Sequence, residues 1–194
     1  MNLPDPRSLA VATLKNPAEV ARTLLGLNIP REALWAALGL LAVFNALFYM
    51  LNAFLVPSPL YDVIGSPLRY FVLTVATIVL FVLAFHRVGR MFGGKASLNE
   101  SLVLVVWHQS LYLLAQVVVL FVSFLSPMLG LLLLLATIVL GIFVLLHFIN
   151  QAHRLNSIPQ AVLVLLGMIV AVIIGLSIVL IVIGTPQPGS LNNV

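Results

Sequence analysis

The stretch Met128–Ile149, MLGLLLLLATIVLGIFVLLHFI, decides the fold. It holds no Asp, Glu, Lys, Arg or Pro. A helix needs about 20 apolar residues, at about 1.5 Å of rise each, to cross about 30 Å of hydrocarbon. The run is long enough, and it is continuous, without the period-two alternation of a barrel strand. It reads as a transmembrane helix.

Four more runs of the same character surround it, over about 33–56, 70–86, 101–125 and 160–184, all free of formal charge. An ionised side chain at a span centre costs about 2.5–3.5 kcal/mol on insertion scales, so this partition is informative. The expected fold is all-α: a polytopic integral membrane protein with five transmembrane helices over residues 33–184. Composition agrees, with 62% hydrophobic and 7% charged residues in a 194-residue chain. A soluble domain carries about 25% charge, so a water-soluble enzyme is excluded. The absence of cysteine excludes disulfides, thiol catalysis and cysteine-ligated zinc or iron–sulfur centres.

Between the runs, the punctuation fits helices. Pro57, Pro59 and Pro67 bracket one loop, and Ser126-Pro127 makes a tight turn. Ser97 and Glu100 have the spacing of a capping box opening the third span. The second run is the shortest, and Arg69 and Arg87 at its ends are expected to snorkel to the headgroups.

Basic residues set the orientation. Arg7, Lys15, Arg22 and Arg31 precede the first span; Arg87, Arg90 and Lys95 follow the second; Arg154 follows the fourth. Of nine Lys and Arg, only Arg69 falls on the other side. The N-terminus is therefore expected in the cytoplasm and the C-terminus outside. The sequence pI near 10.0 then reflects loops facing anionic headgroups, and membrane lipids rather than nucleic acid are the expected partners.

Residues 1–32 read as a cytoplasmic segment without the apolar core of a signal peptide. Within it, Asn16-Pro17-Ala18-Glu19 looks like a helix start, and Val20, Leu24 and Leu27 recur at helical spacing. Residues 17–27 form either an amphipathic helix on the inner leaflet or one packed beneath the bundle. The tail 185–194, rich in Pro, Gln, Gly, Ser and Asn, is expected to be disordered.

Polar side chains within hydrocarbon point to function or to interhelical hydrogen bonds. Asn45, Tyr49 and Asn52 share a face of the first span; His108, Tyr112 and Gln116 form a stripe on the third; His147 lies near the end of the fourth. They line a polar cavity between spans one, three and four, or they join helices. The histidines, placed at the boundary and in the loop at His153, show no metal-ligand spacing, and neither a metal, a cofactor nor a catalytic residue is expected. Gly167, Ala171 and Gly175 repeat every four residues on the fifth span, which allows close backbone approach within the bundle or in a homo-oligomer.

Gly89-Arg90-Met91-Phe92-Gly93-Gly94-Lys95-Ala96-Ser97-Leu98 resembles the glycine–lysine turn of the Yip family, the Ypt/Rab-interacting five-span membrane proteins. Asn16-Pro17 with the following leucine-rich helix is similar to the lead-in of bacterial members, and the architectural likeness covers about 16–184. The acidic Asp-Leu-Tyr-Gly-Pro stretch of eukaryotic members is not found before the first span. The resemblance implies a non-enzymatic adaptor or membrane-organising protein of a bacterial inner membrane. Of the family's turn, Gly93, Gly94 and Lys95 carry over as a structural or docking element, and with the basic loop residues Arg87, Arg90 and Arg154 they make up the expected cytoplasmic docking surface. It would take lipid headgroups or another membrane or cytoplasmic protein. The alternative function is a small transporter or lipid-translocating protein working through the polar cavity.

Overall fold

The computed structural model describes residues 5–55, 66–155 and 157–183. These residues form helices and no strands. Two short helices, α1 (Pro6–Lys15) and α2 (Pro17–Leu25), precede five long ones: α3 (Arg31–Leu55), α4 (Pro67–Met91), α5 (Leu98–Leu125), α6 (Pro127–His153) and α7 (Ile158–Ile183). All five long helices are apolar and long enough to cross a membrane. The loop bracketed by Pro57 and Pro59 and the tail expected to be disordered lie outside the described residues.

Helix starts follow local chemistry. Asp5, Asn16, Ser66, Ser97 and Ser126 each cap a helix with a side-chain oxygen, and Pro occupies the first turn after four of them. At Ser97 the box is reciprocal: Glu100 N donates to Ser97 Oγ at 3.2 Å, and Ser97 N to Glu100 Oε2 at 2.6 Å.

Helix ends depart from the hydropathy limits. α4 carries Arg69, Arg87 and Arg90 within its length, because a capped backbone keeps its hydrogen-bond ladder after apolar sequence has ended. α6 likewise runs through Asn150 and Gln151 to His153, so His153 belongs to the helix and not to the loop.

The long helices pack in a ring, α3 on α4, α4 on α7, α7 on α6, α6 on α5 and α5 on α3, with α4 and α5 also meeting across it. Burial is uneven along the bundle. Leu34–Ala42, Ile78–Gly89, Ser101–Val105, Val144–His153 and Ala161–Met168 contribute most of the buried side chains, and all lie toward the end that carries Arg87, Lys95 and Arg154. Toward the other end Tyr49 and Leu120 are buried, and Tyr49 stacks on Tyr70 with ring centroids 3.8 Å apart.

The N-terminal helices lie against the well-packed end. Val20, Ala21 and Leu24 of α2 are buried in the common core, so the face expected to be amphipathic packs on protein. α1 is an additional helix, pinned by Trp107 Nε1, which donates to Thr13 Oγ1 at 3.0 Å.

Candidate functional site

The turn between α4 and α5 is built from glycine. Gly93 has φ +86°, a left-handed conformation that glycine adopts without a Cβ penalty. Gly93 N donates to Arg90 O at 3.1 Å and Gly94 N to Gly89 O at 2.9 Å, which satisfies the last carbonyls of α4. Lys95 N then donates to the carbonyl of His153 at 3.1 Å, fastening the turn to the end of α6.

His153 fills the space that the glycines leave. Its side chain is fully buried, its ring stands 5.4 Å from that of Phe85, and Nε2 donates to Phe85 O at 2.9 Å. A carbonyl only accepts, so the proton must be on Nε2. A Cβ at Gly89 or at Gly94 would overlap the imidazole. Two neighbouring glycines and a histidine from another helix thus form one interlocked unit.

Two further side chains tighten it. Arg154 adopts φ +54° after the helix end, donates to Glu100 Oε1 at 2.8 Å and reaches Lys95 O at 3.5 Å. Gln160 Nε2 donates to Phe92 O at 2.7 Å. The α4–α5 turn is therefore held by α6 and α7 together.

Of the residues expected to form a docking surface, Arg87, Arg90 and Lys95 are exposed and make no ion pair among the described residues. Arg154 is exposed but engaged with Glu100. Gly94 is half-buried against His153, so its role is conformational, while Gly93 is exposed at the apex. The outcome is a braced helix end and turn at which Arg87 and Arg90 of α4 and Lys95 of the turn are exposed.

The intramembrane polar residues make several local contacts. Asn45 Oδ1 accepts from Gln116 Nε2 at 3.3 Å, joining α3 to α5, while Asn45 Nδ2 donates to Leu41 O at 2.8 Å. Asn52 donates to Phe48 O at 2.8 Å within its own helix. On the other side of α5, His108 Nε2 meets Gly141 O of α6 at 3.3 Å, and Tyr112 lines the same groove. His147 Nδ1 donates to Phe143 O at 2.9 Å in its own helix. Among the described residues, Asn45 and Gln116 thus join α3 to α5, while His108 reaches from α5 to α6.

The small residues of the fifth span face the second. A Cβ at Gly167 would come within 2.8 Å of Val88 Cγ1, and one at Gly175 within 2.6 Å of Leu80 Cδ2. Ala171, between them, packs against the buried core. Among the described residues no three His, Asp or Glu side chains gather as metal ligands.

Sequence reasoning missed His153 and Gln160 as members of the turn, the packing of Gly89 against His153, and Thr13 with Trp107 as the anchor of α1. The one sequence signal for α1 was Asp5-Pro6, a cap followed by an N1 proline.

With this geometry in place, comparison is informative. A family model described as Yip1 domain matches residues 11–180. The match takes in the five long helices, the glycine–lysine turn and His153. No curated protein and no solved structure matches the chain.

Proposed function

The chain belongs to the Yip1-domain family of integral membrane proteins, and from that premise we propose that it is a non-enzymatic adaptor of a bacterial inner membrane. Its N-terminus is cytoplasmic, its C-terminus outside, and its working surface is the basic end of the bundle. There it docks a partner protein or anionic lipid headgroups.

One observation carries this reading: Arg87 and Arg90 on the last turns of α4 and Lys95 in the turn that follows are exposed and make no ion pair among the described residues, and that turn is braced by His153, Arg154 and Gln160. Rigid mounting lowers the ordering cost that binding imposes on flexible loops. A Lys or Arg near an anionic surface contributes about 1 kcal/mol, so three such side chains give useful but reversible attraction. Interfaces of this kind favour steering and partner choice over raw affinity.

The test is purification of tagged protein in mild detergent, followed by mass spectrometry of the proteins and lipids that accompany it. Arg87→Glu, Arg90→Glu and Lys95→Glu together should strip the associated partner or anionic lipid while leaving thermal unfolding unchanged. Association that survives the triple reversal, in protein of unchanged stability, removes the basic turn as the docking surface.

A further inference from the structure

The two N-terminal helices differ in what they do with their apolar side chains. α2 buries Val20, Ala21 and Leu24 in the core. α1 turns Thr13 inward and leaves Val11 55% and Leu14 53% exposed. Helical spacing of three and four residues puts Arg7, Ala10, Val11 and Leu14 along one edge of α1, and Ser8, Ala12 and Lys15 along another. Ala10, Val11 and Leu14 line the upper end of a groove between α5 and α6, whose flank carries the exposed Leu114, Val118 and Leu140. Ser8 and Lys15 are exposed and do not line that groove. The apolar edge of α1 is therefore continuous with the lipid-facing surface, and its polar edge is turned away.

The height of α1 on the bundle agrees. Trp107, which donates to Thr13, stands 18 residues from Leu125 at the end of α5, about 27 Å of helix. On α6, Val144 at the same end of the groove stands 17 residues from Pro127, about 26 Å. The Ser126-Pro127 turn and α1 are thus separated by nearly one hydrocarbon thickness, about 30 Å. Among the described residues of α5 and α6, the exposed large apolar side chains run from Tyr112 to Leu125 and from Met128 to Phe143, all within that slab. Beyond α1 both helices continue with buried side chains, Val103 and Leu104 on one and Phe148 and Ile149 on the other. Trp107 itself has the amphipathic ring that gathers at a membrane boundary.

We propose that α1 is an interfacial helix, embedded in the leaflet at the basic end of the bundle, and that phospholipid covers its exposed apolar edge. Val11 and Leu14 enter the acyl region. Ser8 and Lys15 stay at the level of the headgroup phosphates, and Arg7, at the end of its row, reaches them by extending its stem along the apolar surface. Two side chains fall far short of the 1,200–2,000 Å² or so that a stable protein interface buries. They suffice for a helix already tethered through Thr13 to Trp107. This surface is distinct from the basic turn, and the proposal stands whether or not that turn docks a partner.

The experiment uses the full chain, which has no cysteine of its own, in vesicles of phosphatidylcholine and phosphatidylglycerol. Ser8→Cys, Val11→Cys and Leu14→Cys are spin-labelled one at a time, with Val118→Cys as the hydrocarbon reference. Collision of each label with oxygen, which concentrates in lipid, and with a water-soluble nickel chelate gives its depth. Labels at 11 and 14 should lie about 5–10 Å below the phosphates, the depth of an interfacial helix, while the label at 8 should lie at the phosphates or above. All three positions are exposed, and either 11 or 14 alone decides the outcome. Labels at 11 and 14 as open to the nickel chelate as the label at 8 would place α1 clear of the bilayer and overturn the proposal. Shelter from both reagents at 11 and 14 would show that protein, a second copy included, covers the edge instead. A label at 8 as deep as one at 14 would remove the polarity of the helix on which the proposal rests.

Discussion

Gly89→Ala reverses the sign of an otherwise favourable substitution. In a helix interior, replacing Gly by Ala is worth about 1 kcal/mol of stability. At Gly89 the added methyl would overlap the His153 imidazole. That ring is confined by Gly94 on another side and tethered to Phe85 O. Overpacking costs about 1–3 kcal/mol, and displacing the ring strands the Nε2 proton for about another 1–3 kcal/mol. Set against the helix gain, the net expectation is a loss of about 1–5 kcal/mol. The assay is reversible unfolding in mixed micelles, run for Gly89→Ala, His153→Ala and the pair. With the imidazole gone the methyl has room, so the same glycine substitution in the His153→Ala background should be neutral or stabilising by up to about 1 kcal/mol. An identical effect of Gly89→Ala in both backgrounds refutes the interlock.

Other perturbations probe the remaining contacts. Gly175→Leu should lower the melting temperature or disturb assembly, because it meets Leu80, whereas Gly39→Leu, with open space at its Cβ, should be tolerated; equal melting of the two removes the packing role. Gln116→Leu should cost only about 0.6 kcal/mol, the average for an interhelical hydrogen bond in a membrane; a loss several times larger would assign Asn45 and Gln116 a role beyond joining α3 to α5. Glu100→Gln should reduce stability by less than about 1 kcal/mol, with the deficit shrinking in high salt, as expected of a solvated ion pair; a salt-independent deficit would point to the capping box instead. Trp107→Phe removes the donor to Thr13 and should speed tryptic cleavage after Lys15; unchanged cleavage would show that α1 is held by apolar contacts alone.

Hydropathy revealed the five spans because hydrocarbon imposes one strong rule on composition, and that rule acts residue by residue. Caps at Asn16 and Ser97 were equally legible, since their partners lie three residues away. Helix ends were less so: apolar runs stop at Arg87 and Ile149, whereas backbone hydrogen bonding continues to Met91 and His153. The turn at Gly93 could be read as a turn, but the reason for Gly94 could not, because it is an imidazole supplied by another helix. α1 escaped notice because its most buried residue is a threonine rather than an aliphatic. The groove depends on α1 and on the relative placement of α5 and α6, and no local pattern encodes either.

The fastening of Lys95 by the end of α6 also has a consequence for how the protein is made. Lys95 and Arg154, which bond across the turn, stand 59 residues apart. At about 5–20 residues per second, the ribosome needs about 3–12 s to deliver the second after the first. Throughout that interval the newly inserted hairpin of α4 and α5 waits with its glycine loop unbraced. The brace therefore cannot form before His153 arrives and is complete only when Gln160 of α7 follows, and a nascent chain halted before His153 would present the insertion machinery with an unfinished bundle.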